Sequence, residues 1–380
     1  MESNETMKVT PWEVSGRIDY EKLVKDFGTS VISNQLLKRI EKKTGELHFM
    51  LRRGLFFSHR DLDWALDKLD KGEKFVLYTG RGPSGDTHLG HLMPWVFTKW
   101  LQDKFDTELY FQITDDEKFL FKDGLELNET NRLAYENALD VIALGFDPKK
   151  TFMFVDTDYS GTLYPEAIKV AKRLTFSTAK AVFGFQNESN VGEIFFTSMQ
   201  SVPAFLPSIL KKKNVPVLIP HAIDQDPHFR ITRDIIPKLG YYKPASIHCT
   251  FMPGLKGVDS KMSASIPDSA IFTTDPPEIA RRKIMKAFSG GADTLEEHRK
   301  HGGNPDVDIA CIYLKTLFEP DDKKLAYIIS GFRSGSLTSG DVKGILADKV
   351  EKFLKGHQKA REAAKKKLDK FFLHDVPKRK

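Results

Sequence analysis

Short apolar runs alternate with amphipathic, helix-like runs through the first two thirds of the chain. The apolar runs span residues 75–79, 108–114, 151–157, 215–220 and 246–253. The helix-like stretches lie at 88–105, 129–144, 165–183 and 228–240. Such alternation predicts βαβ units, and strands that are apolar at nearly every position predict a parallel sheet covered by helices on both faces. The expected fold class is therefore α/β, with a Rossmann-like parallel sheet.

The two ends of the chain follow different patterns. Residues 1–60 mix polar stretches with short amphipathic pieces, and we interpret them as an appended segment that covers another part of the protein. The helix-like stretches after about residue 266 lie at 275–288, 307–318, 321–332 and 350–372. We therefore predict a sheet domain over residues 61–265, a helical domain over 266–365, and a C-terminal helix with a basic tail over 366–380.

The composition is typical of a globular protein with more than one domain. The 380 residues are 40% hydrophobic and 29% charged, and the formal net charge of +6 permits a polyanionic partner without requiring one. Cys249 and Cys311 are the only cysteines, which argues against a disulfide framework or a thiolate metal cluster and favours a reducing compartment. The start of the chain does not resemble a signal peptide, and no apolar run approaches the length of a membrane span. We expect a cytoplasmic protein with no membrane segment.

A glycine-rich loop follows the first apolar run of the predicted sheet. Gly80, Gly82 and Gly85 let the backbone approach a ligand closely, and the helix that follows offers free N–H groups and a positive dipole end to an anion. The loop lacks the Gly-Lys-Ser/Thr of a Walker motif and the glycine spacing of a dinucleotide fingerprint. Its position at the carboxyl end of a strand predicts a nucleotide-phosphate site of another kind.

The stretch "HLGH" at residues 88–91 is the most distinctive part of that loop. His88 and His91 are three residues apart and share a helix face, while Gly90 leaves room for a flat ring against the backbone. Two imidazoles there can donate to phosphate oxygens as charge builds in a transition state. Histidines of the core, or a zinc pair, are the alternatives. The zinc reading has no third ligand at a suitable spacing.

A second candidate motif, "DSKMSAS" at residues 259–265, lies in a stretch of small residues. The ammonium group of Lys261 can meet phosphates, and the hydroxyls of Ser263 and Ser265 can add hydrogen bonds, as in a mobile clamp. Alone this stretch is weak evidence. Together with "HLGH" on the first strand-to-helix loop it becomes specific.

These two motifs resemble the signature pair of class I aminoacyl-tRNA synthetases. The sequence is most similar to the tryptophanyl-tRNA synthetases of eukaryotes and archaea, from about residue 10 to the end. The matching blocks are "LYTGRGPS", "TKWLQD", "TDDEK", "AIDQDPHFR", "KMSAS" and "AFSGGADTLEEHRKHGGNPDVD". The resemblance implies a Rossmann-like catalytic domain followed by an α-helical anticodon-binding domain.

The resemblance also implies a reaction and a set of residues for ATP. Such enzymes join an amino-acid carboxylate to the α-phosphate of ATP, release pyrophosphate, and pass the aminoacyl group to tRNA. The first step needs no general base, because the carboxylate is already ionised. His88, His91 and Lys261 are the implied catalytic residues. The implied ATP-binding residues are Thr79, Arg81, Gly82, Gly90, Met262, Ser263 and Ser265. Mg²⁺ would be carried on the phosphates, so the acidic run at 115–117 is not required as a metal site.

The implied amino acid is L-tryptophan. Its implied contacts are Tyr78, Gln112, Glu117, Gln200 and Gln225, with the first two facing the indole N–H. An indole offers one donor and no acceptor, so a selective pocket supplies oxygen acceptors in an otherwise apolar slot. Each of these residues could instead be an ordinary strand-end or loop group. Tyrosine is the leading alternative substrate, since tyrosyl-tRNA synthetases share the fold and similar motifs.

The implied macromolecular partner is tRNA(Trp), read by the helical domain. Phe288 could stack on a base, Asp293 could accept from a base edge, and Arg281, Arg282 and Lys283 suit phosphate contacts. Core packing and helix capping explain several of these residues nearly as well. Relatives of this family are homodimers, with the contact expected around residues 119–205. Two other functions stay open: a catalytically silent RNA-binding paralogue and a small-molecule adenylyltransferase.

Overall fold

A mixed, mostly parallel sheet forms the centre of the molecule. The computed structural model describes residues 8–12, 14–15, 18–263 and 266–375. The strands are β1 (Lys8–Val9), β2 (Val14–Ser15), β3 (Ser30–Val31), β4 (Phe56–Arg60), β5 (Val76–Arg81), β6 (Leu109–Ile113), β7 (Thr151–Val155), β8 (Val217–Ala222) and β9 (Ala245–Cys249). Seven of them form one sheet in the order β3-β4-β9-β8-β5-β6-β7, and β1 pairs with β2 as a separate small hairpin.

The five strands predicted from apolar runs are the parallel part of this sheet. Strands β9, β8, β5, β6 and β7 pair in parallel, whereas β3 and β4 join antiparallel at one edge. Strands β6 and β9 are buried at every residue, as expected for strands with helices on both faces. The predicted α/β class with a Rossmann-like sheet is confirmed.

Helices surround the sheet and continue alone towards the C-terminus. The α-helices up to β9 are α1 (Tyr20–Phe27), α2 (Asn34–Thr44), α3 (Phe49–Arg52), α4 (Leu62–Asp70), α5 (Leu89–Phe105), α6 (Asp115–Phe121), α7 (Leu127–Ala143), α8 (Ser160–Ala171), α9 (Phe176–Phe183), α10 (Val191–Met199), α11 (Leu206–Leu210) and α12 (Asp226–Ile235). Those after β9 are α13 (Pro277–Lys286), α14 (Leu295–His301), α15 (Ile309–Tyr313), α16 (Asp322–Arg333) and α17 (Ser339–Lys365). Short 3₁₀ turns occupy Val202–Ala204, Ile223–Gln225, Ile236–Leu239, Pro267–Ser269 and Leu368–Lys370, and Leu314–Phe318 is a π turn.

The first 60 residues add two strands, β3 and β4, to the central sheet and form the separate β1–β2 hairpin, none of which the sequence pattern revealed. Strand β4 pairs with β9, and Arg60 at its end forms a bidentate ion pair with Asp226 at the start of α12, at 2.6 and 2.7 Å. The β1–β2 hairpin packs against the end of α6, where Trp12, between the two strands, stacks on Phe121 with ring centroids 4.5 Å apart. The appended segment is therefore attached both to the sheet and to the helices α12 and α6, which follow β8 and β6.

The C-terminal tail covers part of the opposite edge of the sheet, at β7. The Met153 N–H of β7 donates to the Phe371 carbonyl at 2.7 Å, and the Leu373 N–H donates to the Met153 carbonyl at 2.7 Å. Asp375 then accepts from the Gly161 N–H at the start of α8, at 2.6 Å. An edge strand with unpaired N–H and C=O groups would invite pairing with another chain, and the tail covers part of that edge.

Helix α17 connects the helical part of the chain to the sheet. It packs on α13 and on α7. At the α7 contact, Asp140 accepts from His357 at 2.9 Å and pairs with Arg361 at 2.5 Å, all three side chains being almost fully buried. The domain boundaries predicted at residues 60, 265 and 365 stay predictions. In the described part of the chain, no helix is long and apolar enough to cross a membrane.

Candidate active site

Several of the predicted site residues lie near the carboxyl ends of β5 and β6 and in the segments that follow β8 and β9. Tyr78 and Thr79 lie in β5 next to Tyr110 and Phe111 of β6, and the Thr79 hydroxyl donates to the Pro220 carbonyl of β8 at 3.1 Å. Parallel strands end at the same edge of a sheet, so the loops that follow them share one crevice. Residues distant in sequence thus come together there because of the strand order.

The glycine-rich loop is held in shape by a residue outside every motif. Asn137 of α7 is buried, its Oδ1 accepts from Arg81 Nε at 3.0 Å, and its Nδ2 donates to the Gly85 carbonyl at 3.1 Å. Arg81 Nη2 is also buried and finds no partner among the described residues, which leaves it as a donor for an anion. Burial lowers the Arg81 pKa to about 10, so the side chain stays charged at neutral pH.

His88 and His91 stack face to face at the start of α5. Their ring centroids are 3.5 Å apart, and the His88 N–H donates to His91 Nδ1 at 3.1 Å. That contact places the proton of a neutral His91 ring on Nε2, where it can be donated. Burial, assisted by the nearby charge of Arg81, lowers the pKa of His88 to about 3 and that of His91 well below its usual range. Both rings are therefore neutral donors at physiological pH.

The two signature motifs meet in space. A Cβ atom on Gly90 would lie 3.1 Å from the Met262 sulfur, so the second motif packs directly on the glycine of the first. The chain just beyond the second motif also pairs with the first, since the Leu89 N–H donates to the Ile271 carbonyl at 3.0 Å and the Thr273 N–H to the Thr87 carbonyl at 2.9 Å. The contact between the motifs is thus part of the fold.

Lys261 stands at the open side of this contact. Its side chain is exposed, and its charge contributes to the low pKa of both signature histidines. Its backbone is anchored by a bridge to Pro253, and the Ser263 N–H donates to Ser269 Oγ at 3.0 Å. Ser265 lies outside the described residues.

Three of the predicted tryptophan contacts form one buried hydrogen-bonded chain. The Tyr78 hydroxyl donates to Gln112 Oε1 at 2.5 Å, and Gln200 Nε2 donates to the Tyr78 oxygen at 3.3 Å. The Gln112 amide nitrogen donates to both carboxyl oxygens of Asp156, at 3.0 and 2.8 Å. Gln200 Oε1 is buried without a partner in the part of the chain that the structure describes, as expected of an acceptor that awaits a ligand donor.

Glu117 and Lys118 lie beside the glycine-rich loop. Glu117 accepts from the Thr114 hydroxyl and from Lys118, both at 2.6 Å. A Cβ atom on Gly82 would lie 2.2 Å from Lys118 Cε, so the end of this lysine side chain packs directly against the loop. Lys118 was not among the predicted site residues, although it directly follows Glu117 in the block "TDDEK". It adds a second cation on this side of the crevice.

Gln225 lies at the carboxyl end of β8, in the turn Ile223–Gln225. Its amide nitrogen donates to the Pro11 carbonyl at 3.2 Å and to Asp224 at 3.1 Å. Burial raises the pKa of Asp224 to about 6. The N-terminal hairpin therefore contacts this end of the crevice through backbone and side-chain groups.

The tRNA candidates do not share one environment. Arg281 pairs with Glu351 of α17 at 2.8 Å and Lys283 with Asp275 at 2.7 Å, so internal ion pairs compete with their predicted phosphate contacts. Arg282, Phe288 and Asp293 are exposed. Phe288 lies beside the loop that carries the second signature, since a Cβ on Gly257 would be 3.7 Å from its ring.

Comparison with known proteins identifies the family. Residues 70–355 match the family model of class I tRNA synthetases (W and Y). The tryptophan–tRNA ligase of Sulfurisphaera tokodaii is 51% identical over 96% of this chain and 94% of its own, and that of Pyrococcus furiosus is 51% identical over 97% and 94%. The crystal structure of Plasmodium falciparum tryptophanyl-tRNA synthetase superposes with a TM-score of 0.87 at 43% identity, over 93% of this chain and 97% of that one.

A further neighbour carries a ligand. The tryptophanyl-tRNA synthetase from Encephalitozoon cuniculi, solved bound to tryptophan, has a TM-score of 0.86 at 38% identity and covers 95% of this chain and 99% of its own. The chain belongs to the class I aminoacyl-tRNA synthetases. Within that class it belongs to the tryptophanyl-tRNA synthetase family of archaeal and eukaryotic type.

Proposed function

We propose that this protein is a tryptophan–tRNA ligase that activates L-tryptophan with ATP and transfers it to tRNA(Trp) for protein synthesis. The observation that carries the proposal is the contact between the two signature motifs, with Met262 packed on Gly90 beside the stacked histidines. The Tyr78–Gln112 pair lies at the end of the same strands, so an amino acid and a nucleotide can meet across one crevice.

Activation is achieved by positioning and by electrostatic stabilisation. The tryptophan carboxylate attacks the α-phosphorus of ATP and pyrophosphate leaves. Arg81, Lys261 and the His91 Nε2–H are the donors suited to the charge that builds on the phosphates. His88 adds a second neutral imidazole. Thr79, Gly82 and Gly90 shape the nucleotide-binding surface, and Met262, Ser263 and Ser265 would close over it.

The amino-acid pocket would use the buried polar chain at the strand ends. Tyr78 and Gln112 present oxygen atoms beside a cluster of aromatic and aliphatic side chains, which suits a ring with a single N–H donor. Gln200, Glu117 and Gln225 would surround the amino and carboxylate groups. The carboxylate of Glu117 suits an ammonium group at neutral pH, since Lys118 and Thr114 outweigh burial and lower its pKa.

Magnesium would be held by the ATP phosphates. Among the described residues, no group of three or more His, Cys, Asp or Glu side chains is arranged to bind a metal ion. The donor set of the crevice is cationic and neutral, which suits phosphates. When bound to them, Mg²⁺ would neutralise part of their charge.

The helical part after residue 266 would recognise the anticodon, and a second copy would complete the enzyme. Phe288, Asp293 and Arg282 are exposed for RNA contacts, whereas Arg281 would first have to leave its pair with Glu351.

Exposed apolar side chains on α8, α9 and α10 favour a homodimer contact there, namely Tyr164, Ile168, Phe176 and Val191. We place the enzyme in the cytoplasm, where charged tRNA is consumed.

Pyrophosphate exchange tests this function. Purified protein, ATP and labelled pyrophosphate are incubated with each of the twenty amino acids separately, and label is counted in ATP. We expect exchange with tryptophan alone. Exchange with tyrosine would keep the enzyme class and remove the pocket assignment, whereas no exchange with any amino acid would favour a silent RNA-binding paralogue. Salt-sensitive binding of tRNA(Trp) distinguishes the proposal from a small-molecule adenylyltransferase.

A further inference from the structure

The side-chain amide of Gln112 is held from both ends. It is fully buried, its nitrogen donates to both carboxyl oxygens of Asp156 at 3.0 and 2.8 Å, and its oxygen accepts from the Tyr78 hydroxyl at 2.5 Å. Asp156 is also buried and follows β7 directly. It belongs to neither signature motif.

This arrangement selects one of two nearly isosteric orientations of the amide. Rotating the Gln112 amide by half a turn would place its oxygen against the two oxygens of Asp156 and its NH₂ group against Tyr78. The first contact would be repulsive, and in a buried site no water compensates. Only the observed orientation leaves an amide oxygen, with two lone pairs, beside the Tyr78 oxygen.

We infer that Asp156 is a positioning residue for amino-acid selection: it fixes the Gln112 amide so that an acceptor faces the indole N–H. The inference rests on the proposed function, because it assigns the indole to this pair. Asp156 thereby sets the preference for a ring that carries a hydrogen-bond donor over a ring of the same shape without one.

A second carboxyl group, that of Asp116, contacts Asp156. Asp116 hydrogen-bonds to Asp156, and burial together with the neighbouring Asp115 raises the Asp116 pKa to about 7. Burial also raises the pKa of Asp156 well above its usual range. The pair therefore retains a proton near neutral pH, engaged between the two carboxyls. Asp156 acts on Gln112 as an acceptor, and the side chain of asparagine can replace it, with its oxygen towards Gln112 and its NH₂ towards Asp116.

The test compares tryptophan with an analogue that has sulfur in place of the indole N–H, β-(benzothiophen-3-yl)alanine. The ratio of kcat/KM for the two in pyrophosphate exchange is measured for the full-length wild type, Asp156→Ala and Asp156→Asn. We expect the wild type to prefer tryptophan by about tenfold or more, because a site built to hydrogen-bond a donor rejects the analogue that lacks it. Asp156→Ala should lose most of that preference, and Asp156→Asn should retain it to within about threefold.

Two results would overturn the inference. If Asp156→Ala lowers kcat/KM for tryptophan and for the analogue equally, the residue has only a structural role. If Asp156→Asn loses the preference as fully as Asp156→Ala does, the acceptor is not what matters. Should the alanine variant not fold, Asp156→Leu removes the acceptor while filling the space, and the same ratio decides.

The outcome also separates this inference from the proposed function. A wild-type protein with no tryptophan-dependent exchange would overturn both. A wild-type protein that prefers tryptophan, while Asp156→Ala keeps the same preference, would overturn the inference alone. Adding Asp156→Ala to Gln112→Ala should change the ratio no further, because the amide that Asp156 positions is already absent.

Discussion

The sulfur of Met262 lies 3.1 Å from the position that a Cβ atom would occupy on Gly90. The two residues belong to different signature motifs: Gly90 lies in the first turn of α5, after β5, and Met262 lies in the loop after β9. The same Cβ position is 3.1 Å from His88 Nδ1. The glycine thus sets how closely the second motif can approach the histidines, and the relative position of the motifs depends on one missing methyl group.

Gly90→Ala should therefore separate the two motifs without unfolding the protein. We expect kcat/KM for ATP in pyrophosphate exchange to fall by about tenfold or more, since misplacing catalytic groups by a fraction of an ångström is costly. Gly344→Ala in α17 is the matched control, because a Cβ there meets no described atom within 4 Å. That change should leave exchange intact and raise the free energy of unfolding by about 0.5–1 kcal/mol. Equal activity in the two variants would contradict the role of Gly90.

Lys261→Ala should lower the activation rate far more than it weakens tryptophan binding. Its exposed ammonium group lies at the open side of the motif contact, where it can strengthen its hold on the phosphates as charge develops. We expect kcat to fall by about a hundredfold, with the tryptophan Kd within about twofold, from single-turnover kinetics and fluorescence titration. Lys256→Ala, an exposed lysine of the same loop, should change neither. Parallel losses in rate and binding would refute this role for Lys261.

Gln112→Ala should affect tryptophan and leave ATP nearly unchanged. We expect kcat/KM for tryptophan to fall by about tenfold to a hundredfold, because removing Gln112 takes away the acceptor of the buried Tyr78 hydroxyl and the amide that donates to Asp156. The KM for ATP should stay within about twofold. Gln102→Ala removes another buried glutamine, which lies outside the site and donates to Thr151 at 2.9 Å. It should lower stability without changing kcat/KM for tryptophan relative to the KM for ATP. A loss of ATP binding in Gln112→Ala would indicate a structural residue.

Sequence periodicity revealed the parallel strands because they are apolar almost throughout. The two antiparallel strands β3 and β4 escaped detection: β3 has two residues, both exposed, and β4 contains Ser58, His59 and Arg60. Burial of Ser58 is explained only by its partner His248, 2.8 Å away on β9. Such pairing is set by tertiary contacts and leaves no local pattern.

The site shows the same division. The residues of both motifs could be selected from their spacing, and the structure brings Met262 of the second onto Gly90 of the first. The sequence alone did not reveal Asn137, Asp156 or Lys118 as site residues. Asn137 and Asp156 act through partners that are remote in sequence. Lys118 lies within the block "TDDEK", which drew attention because of Glu117. Asn137 looks like any polar position of an amphipathic helix until Arg81 and the Gly85 carbonyl are brought to it.

Arg361→Met should destabilise the contact between α17 and α7. Asp140 is buried, and the loss of Arg361 leaves it with His357 as its remaining side-chain partner in the described chain. Breaking a buried pair by removing one partner costs about 3–5 kcal/mol, and methionine recovers part of that by packing. We expect a loss of about 2–4 kcal/mol in urea unfolding. Lys365→Met on the same helix removes only an exposed pair with Glu362 and should change stability by less than about 0.5 kcal/mol.

His48 should make the protein sensitive to acid. Burial, with the nearby charges of Arg52 and Arg53, lowers its pKa to about 4, below the usual 6.5. The unfolded chain thus binds the proton first. The stability associated with neutral His48 is fully present above pH 6.5 and is lost as the pH falls towards 4, by up to about 1.4 kcal/mol per pH unit.

His48→Asn isolates this effect. His48 caps α3 by accepting from the Met50 N–H at 3.3 Å, and asparagine is a good residue at that position. The variant loses ring contacts with Phe97 and Trp100 at every pH, so its absolute stability should be lower. Its unfolding free energy should nevertheless fall less steeply between pH 6 and 4 than that of the wild type, measured by urea titration at several pH values. Parallel curves would show that His48 is protonated in the folded protein as readily as in the unfolded chain.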